Sequence, residues 1–201
     1  MQKILGVLLL FVFASADAAL INNGTYTTDT ATGLDWLDLS STTGLSMEAA
    51  LAANSQWRYG TNSEVENIFS QLFDGYFNTE SGGWSYSNNG AYADQLTDVI
   101  NFRNLFGITQ SIYSFPRQFI FTLGLYEDEA GIIREMGTQY VTQPIYTVVQ
   151  GMDFNQVRDA TTAVTGRGTF LVRSSAVPVP AAVWLFGSAL GLLGWMRRKA
   201  A

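Results

Sequence analysis

The chain of 201 residues contains neither cysteine nor histidine, which excludes a Ser-His-Asp triad, a Cys-His pair, disulfide staples and any zinc site built on thiolate or imidazole. Its formal net charge is −6. Between residues 19 and 176 seven Arg and no Lys stand against sixteen acids, so a phosphate backbone would meet no basic face and nucleic acid is excluded as a partner.

The first eighteen residues read MQKILGVLLLFVFASADA. Lys3 precedes an apolar run from Ile4 to Ala14, and small residues then alternate to Ala18. That order predicts a secretory signal peptide, cut after Ala16 or Ala18, with Ala18 preferred. Residues 19–176 then form one exported domain, long enough to build its own core.

LINNGTYTTDTATGLDWLDLSS predicts strand, turn, strand, with Asn22-Asn23-Gly24 and Gly33 at the turns. Leu34 and Trp36 alternate with Asp35, the pattern of a half-buried strand end. Asn23-Gly24-Thr25 matches a glycosylation sequon but sits in a tight turn. Ser46 is placed to cap a short helix over Met47 to Ala53. Thr61 and Glu64 have capping-box spacing, and Val65, Ile68, Phe69, Leu72 and Phe73 then mark one apolar helical face.

FNTESGGWSYSNNGAYAD is rich in Gly, Asn and Ser and reads as a long loop carrying Trp84, Tyr86 and Tyr92. A further helix is expected from about Asp94 to Phe106, with Leu96, Val99, Ile100 and Phe106 apolar and Gly107 as its stop. RQFIFTLGLYEDEAGIIREMGTQYV predicts a hairpin: Phe119, Phe121, Leu123 and Leu125 alternate onto one face, residues 127–131 turn, and Ile132 to Tyr140 returns. IYTVVQ and GTFLVR each predict one more short strand. These elements define an α+β domain, two or three helices packed on a mostly antiparallel sheet.

Little in the domain predicts chemistry. Asp35 and Asp38 flank Trp36, Glu64 and Glu66 lie in a first helical turn that favours acids, and Glu127, Asp128 and Glu129 lie in the hairpin turn. None of this spacing sets two carboxylates across a cleft, as a glycosidase needs, and there is no EF-type calcium loop. No catalytic residue, metal or cofactor is assigned. The embedded rings offer a lectin-like alternative, because flat rings stack on sugars and Asn side chains bond hydroxyls. Trp84, Tyr86 and Tyr92 are the candidate ligand contacts.

TTDTATGLDWLDLS, WRYGTNSEVENIF and the closing GTFLVRS together resemble the Lcl C-terminal domain family, named for collagen-like adhesins. Trp36, Trp57, Arg58, Thr61, Asn62, Glu64 and Arg173 occupy the matching positions. Tyr59-Gly60 stands where that family usually has Leu-Pro, and its paired Cys are absent. The resemblance implies an extracellular module disposed toward adhesion.

The tail, VPVPAAVWLFGSALGLLGWMRRK, is similar to a PEP-CTERM sorting signal in its Val-Pro-x-Pro form. The resemblance implies that Val177, Pro178, Val179 and Pro180 are a recognition motif. An exosortase, an intramembrane cysteine transpeptidase, would read it in a bacterium that makes exopolysaccharide. The physics of the segment agrees. Pro178 and Pro180 keep the motif extended, and Pro180 suits the start of a following helix. As a helix, Ala181 to Met196 is about 24 Å long against a hydrocarbon core of ~30 Å, which snorkelling and local thinning accommodate. Trp184 and Trp195 fall toward the interfaces, and Gly187 and Gly191 form a GxxxG. Arg197, Arg198 and Lys199 form the stop-transfer cluster. The whole chain therefore reads as an exported bacterial surface or extracellular-matrix protein, structural or adhesive, tethered by a membrane span at least until it is processed. Its expected partners are the exosortase-type enzyme, the membrane and an exopolysaccharide.

Overall fold

Turn chemistry opens the first sheet. The computed structural model describes residues 19–73, 85–88, 93–142, 145–153 and 159–175. Residues 1–18, expected to be a signal peptide, the tail 177–201, Trp84 and Tyr92 lie outside them. Strands β1 (Leu20–Asn22), β2 (Tyr26–Asp29) and β3 (Leu34–Leu37) form an antiparallel meander. Gly24 and Gly33 sit in its two turns with φ of 93° and 69°, where an L side chain would be strained. Buried Asp29 builds the second turn, accepting from the Ala31 N–H at 2.9 Å and the Thr32 hydroxyl at 2.7 Å. In the first turn the Asn23 amide donates to Ile21 O and Thr28 Oγ1, so the sequon nitrogen is already engaged.

The helices start where their caps are written. A 3-10 turn, Leu39–Thr42, follows β3. Helix α1 (Met47–Ala53) is capped by Ser46, whose hydroxyl accepts from Ala49 N–H. Helix α2 (Asn62–Leu72) carries the complete Thr61–Glu64 capping box, and Val65, Ile68, Phe69 and Phe73 are buried along one face. Helix α3 (Ala93–Phe106) ends at Gly107, whose N–H donates to Arg103 O. Its core positions are Val99, Phe102 and Phe106. Phe102 was absent from the expected face, and Ile100 is only partly buried. Among the described residues no helix is long and apolar enough to cross a membrane.

The strands form two sheets where one was expected, and the second is the larger. Its centre is the predicted hairpin, β7 (Arg117–Glu127) and β8 (Ile133–Thr142), followed by β9 (Ile145–Asp153). Asp128 shapes the hairpin turn. Burial pushes its carboxyl up, but the Ile132 and Ala130 N–H groups and Arg134 outweigh this and hold it below the usual range. Two of this sheet's strands were not foreseen. The stretch read as a loop contains β5 (Ser85–Asn88), antiparallel to β9, with Tyr86 opposite Val149. Edge strand β6 (Gln110–Ser114) pairs with the first half of β7.

GTFLVR, expected to be one strand, is two. β10 (Gly168–Thr169) runs parallel to β7. β11 (Leu171–Ser174) lies antiparallel between β3 and β4 (Arg58–Tyr59). The first sheet is thus β1-β2-β3-β11-β4 and the second β10-β7-β8-β9-β5, with β6 also on β7. Phe170 is the crossing point. Its N–H donates to Leu125 O in one sheet, and its carbonyl accepts from Gly60 N–H beside the other.

The core fills the space between the sheets and helices. The fully buried Phe170 ring meets Trp36, Phe69, Phe106 and Tyr126 edge-on, with centroids 6.1–6.4 Å apart. Helix α3 packs against β1 and β2 of the first sheet and β7, β8 and β9 of the second. The alternating face of β7 needs correction. Leu123 and Leu125 are buried, but Phe119 and Phe121 are only half-buried, and Tyr126 from the opposite face joins the Phe170 cluster. Leu125 instead meets Met47, Ile133 and Val164 in a smaller core.

Candidate functional site

The outer face of the first sheet gathers residues from four segments. Arg173 on β11 is registered against Asp35 on β3. Its Nε donates to Asp35 Oδ2 at 3.1 Å, and the Thr28 hydroxyl donates to Asp35 Oδ1 at 2.7 Å. The guanidinium lies 4.4 Å from the Trp57 ring centre and 5.0 Å from that of Tyr26. Asp35 is therefore almost fully buried, where the alternation with Leu34 and Trp36 suggested only a half-buried strand end. Four neighbouring groups make an ion pair with an aromatic lid, and the lid continues into Leu37, Leu171 and Ala50 of α1.

Three other acids are similarly occupied. Glu64 meets Arg58 through two nitrogens, at 2.8 and 2.6 Å, and accepts from Thr61 N–H at 2.9 Å. The Arg58 hydrogen bond, then Thr61, outweigh burial and hold Glu64 below the usual carboxylate range. Glu66 accepts from the Asn62 amide. Buried Glu135 pairs with Arg167 at 2.6 Å. Among the described residues no three carboxylates gather as a metal would require.

Asp38 is different. It precedes the 3-10 turn without making a side-chain cap, and its Oδ1 is buried with no hydrogen-bond partner. Burial raises its carboxyl from 3.8 to about 6. The indole N–H of Trp36 and the hydroxyl of Thr169 are buried and unpartnered as well.

A cleft of about 470 Å3 opens between β1 and the last turns of α2 and α3. Leu20, Leu72 and Leu105 supply its apolar surface, and Asn22, Gln71, Asn101 and Asn104 supply four amides. Helix geometry explains the placement. Val99, Phe102 and Phe106 face the core, which leaves Asn101, Asn104 and Leu105 on the adjoining faces of α3. These amides do not stand out in the sequence. Their signal was Asn at i and i+3 beside a Leu, which becomes meaningful only once α2 and β1 lie alongside.

The predicted site residues fare unevenly. Trp84 and Tyr92, the motif Val177–Pro180 and the cluster Arg197–Lys199 lie outside the described residues, and Tyr86 lies within β5. Trp57, Arg58, Thr61, Asn62, Glu64 and Arg173 come together around β4, β11 and the start of α2, and Trp36 is buried beneath them in the core. No family model, curated protein or solved structure matches the chain.

Proposed function

We propose that this is an exported bacterial surface or extracellular-matrix protein, delivered in a membrane-tethered form and processed at Val177–Pro180 by an exosortase-type transpeptidase. Its domain is structural or adhesive. One observation carries the reading furthest. Leu20, Asp29, Leu34 and Ser174 form a single row across the first sheet. β1 starts at this row and β11 ends at it, so the chain enters and leaves at the same end of the sheet, three strand spacings or roughly 14 Å apart. A domain so built can fold while a signal segment on one side and a tail span on the other share one bilayer. From Ser175 to Ala181 the chain reaches at most ~21 Å, which would hold this end close to the membrane.

The engagement of Asp29, Asp35, Glu64, Asp128 and Glu135 in turns, caps or ion pairs also favours a structural role over a hydrolytic one. A carbohydrate-binding role is the second reading, favoured by the amide-lined cleft.

Mass spectrometry of the protein from cells that express an exosortase tests the main reading. The mature chain should lack Met1–Ala18 and the apolar tail. Pro178→Ala with Pro180→Ala leaves hydrophobicity almost unchanged and lets helix spread into the motif. That variant should accumulate in the membrane uncut. A mature C-terminus still at Ala201 in the parent chain overturns the processing.

A further inference from the structure

The geometry points to the cleft between β1, α2 and α3 as a binding site for a neutral, hydroxyl-rich ligand, a short segment of uncharged glycan. This rests on the surface-matrix reading only for where the glycan comes from; the chemistry stands on the cleft itself. At about 470 Å3 the cleft falls in the size range of small-ligand sites. Among the described residues no ionisable side chain lines it. An anion would find no cation there, and a cation no carboxylate.

The polar groups it offers are primary amides, each with two donors and an acceptor. Two of the four are committed. The Asn22 amide donates to Asn104 O, and its oxygen accepts from Gly24 N–H. Gln71 donates to Asp29 Oδ2 at 3.2 Å and Asn67 Oδ1 at 3.0 Å, which fixes the side chain and leaves its carbonyl oxygen as an acceptor. The amides of Asn101 and Asn104 are exposed and make no hydrogen bond to a described residue. The site thus pairs two uncommitted donor–acceptor amides and a fixed acceptor with the three Leu side chains. A pyranose presents the complement: hydroxyls that donate and accept around its rim, and C–H groups that lie on apolar surface.

A peptide fits less well. Peptide capture beside an edge strand works by adding a strand to its open backbone. β1 has only three residues, and Asn22 ties its end across to α3. What remains for a ligand is side-chain amide, which matches hydroxyls.

Saturation-transfer NMR on the full chain, held in a sugar-free amine-oxide detergent, tests this. The probes are cellotriose, maltotriose, mannotriose and β-galactotriose, with trigalacturonate and a neutral Gly/Ser pentapeptide as controls. At least one neutral trisaccharide should receive saturation, with a Kd of about 1 mM or tighter, and the two controls should not. Asn101→Asp with Asn104→Asp keeps shape at two exposed positions but removes the amide donors. It should weaken the binding about tenfold while the circular dichroism spectrum stays unchanged, and Gln71→Glu should weaken it less. If no neutral trisaccharide binds, if binding survives the Asn101/Asn104 change, or if the peptide or trigalacturonate is preferred, the assignment is overturned. Export and tail removal are read separately by mass, so the surface-protein reading can stand or fall independently.

Discussion

Strands of the first sheet run two to four residues, whereas β7, β8 and β9 of the second run eleven, ten and nine. Short strands make few ladder bonds, so the first sheet leans on polar side chains that cross between elements. Arg173 reaches Asp35, Thr28 reaches Asp35, Gln71 reaches Asp29, and Arg58 reaches Glu64. The second sheet leans on its backbone ladder and on close approach. A Cβ on Gly137 would lie 2.1 Å from Thr122 O, and one on Gly168 2.1 Å from Leu39 O. One sheet should therefore be sensitive to charge and the other to volume. The joint between them, Phe170, should be more sensitive than either.

Phe170→Ala tests the joint and is the largest expected effect. It empties a fully buried position whose ring meets aromatic partners from α2, α3 and both sheets. A loss of about 3–5 kcal/mol is expected, read as a lower urea midpoint. A loss below about 1 kcal/mol would mean that the sheets are coupled through α3 instead.

Gly137→Ala breaks the second sheet by volume. The added methyl meets backbone, Thr122 O and Leu123 Cα, and backbone cannot rotate away as a side-chain tip could. About 2–3 kcal/mol should be lost, with little dependence on salt. Equal stability of variant and parent would show that β7 and β8 have slack in their register.

Arg173→Met makes the matching cut in the first sheet. The apolar stem stays over Trp57 and Tyr26, but Asp35 loses its cation while remaining buried. About 2 kcal/mol should be lost, less than for a wholly buried pair because the arginine is about one-third exposed. Adding Asp35→Asn should recover part of it, and that non-additivity separates ion pairing from packing.

These comparisons also explain which parts of the fold could be read in the chain. Ser46, the Thr61–Glu64 box and Gly107 act within four residues of themselves, so their helices were legible. The turns at Gly24, Gly33 and Gly131 were legible for the same reason. What escaped depends on distant partners. β5 carries no apolar alternation and exists through its pairing with β9. Phe170-Leu171-Val172 looks like one apolar run, and nothing local says that the chain changes sheets at its first residue. Nothing local says why Gly124 is a glycine, but a Cβ there would lie 2.4 Å from the Phe170 ring. Of the site, the ring-bearing stretch drew attention because of its composition. The amides of the cleft belong to three elements and are ordinary surface residues until those elements meet.

Asp38 carries an effect that fades in acid and the sharpest pH signature, because it is a buried carboxyl at the end of β3 with one oxygen unpartnered. The residue follows β3, is 8% exposed, and has one carboxylate oxygen with no partner. Burial disfavours its charged form and lifts it from 3.8 to about 6. In the unfolded chain it titrates near the ordinary value, so between about pH 4 and pH 6 the folded state holds the proton and the unfolded state has released it. Stability from this group therefore falls as pH rises through that window, and the full penalty is present above it. Glu64 works the other way. Arg58 holds it below its ordinary value, so its contribution is present at neutral pH and is lost as the solution becomes acid. Asp38→Asn removes only the first of these slopes. Near pH 4 the variant and parent should unfold at the same urea concentration. The variant should then gain steadily, levelling off above about pH 6.5 at no more than about 3 kcal/mol. Urea titrations at pH 4, 5, 6 and 7.5 read the difference directly. A gain that is the same at every pH would assign the effect to shape rather than to a desolvated charge. A loss at neutral pH would mean that Asp38 is stabilised as a carboxylate.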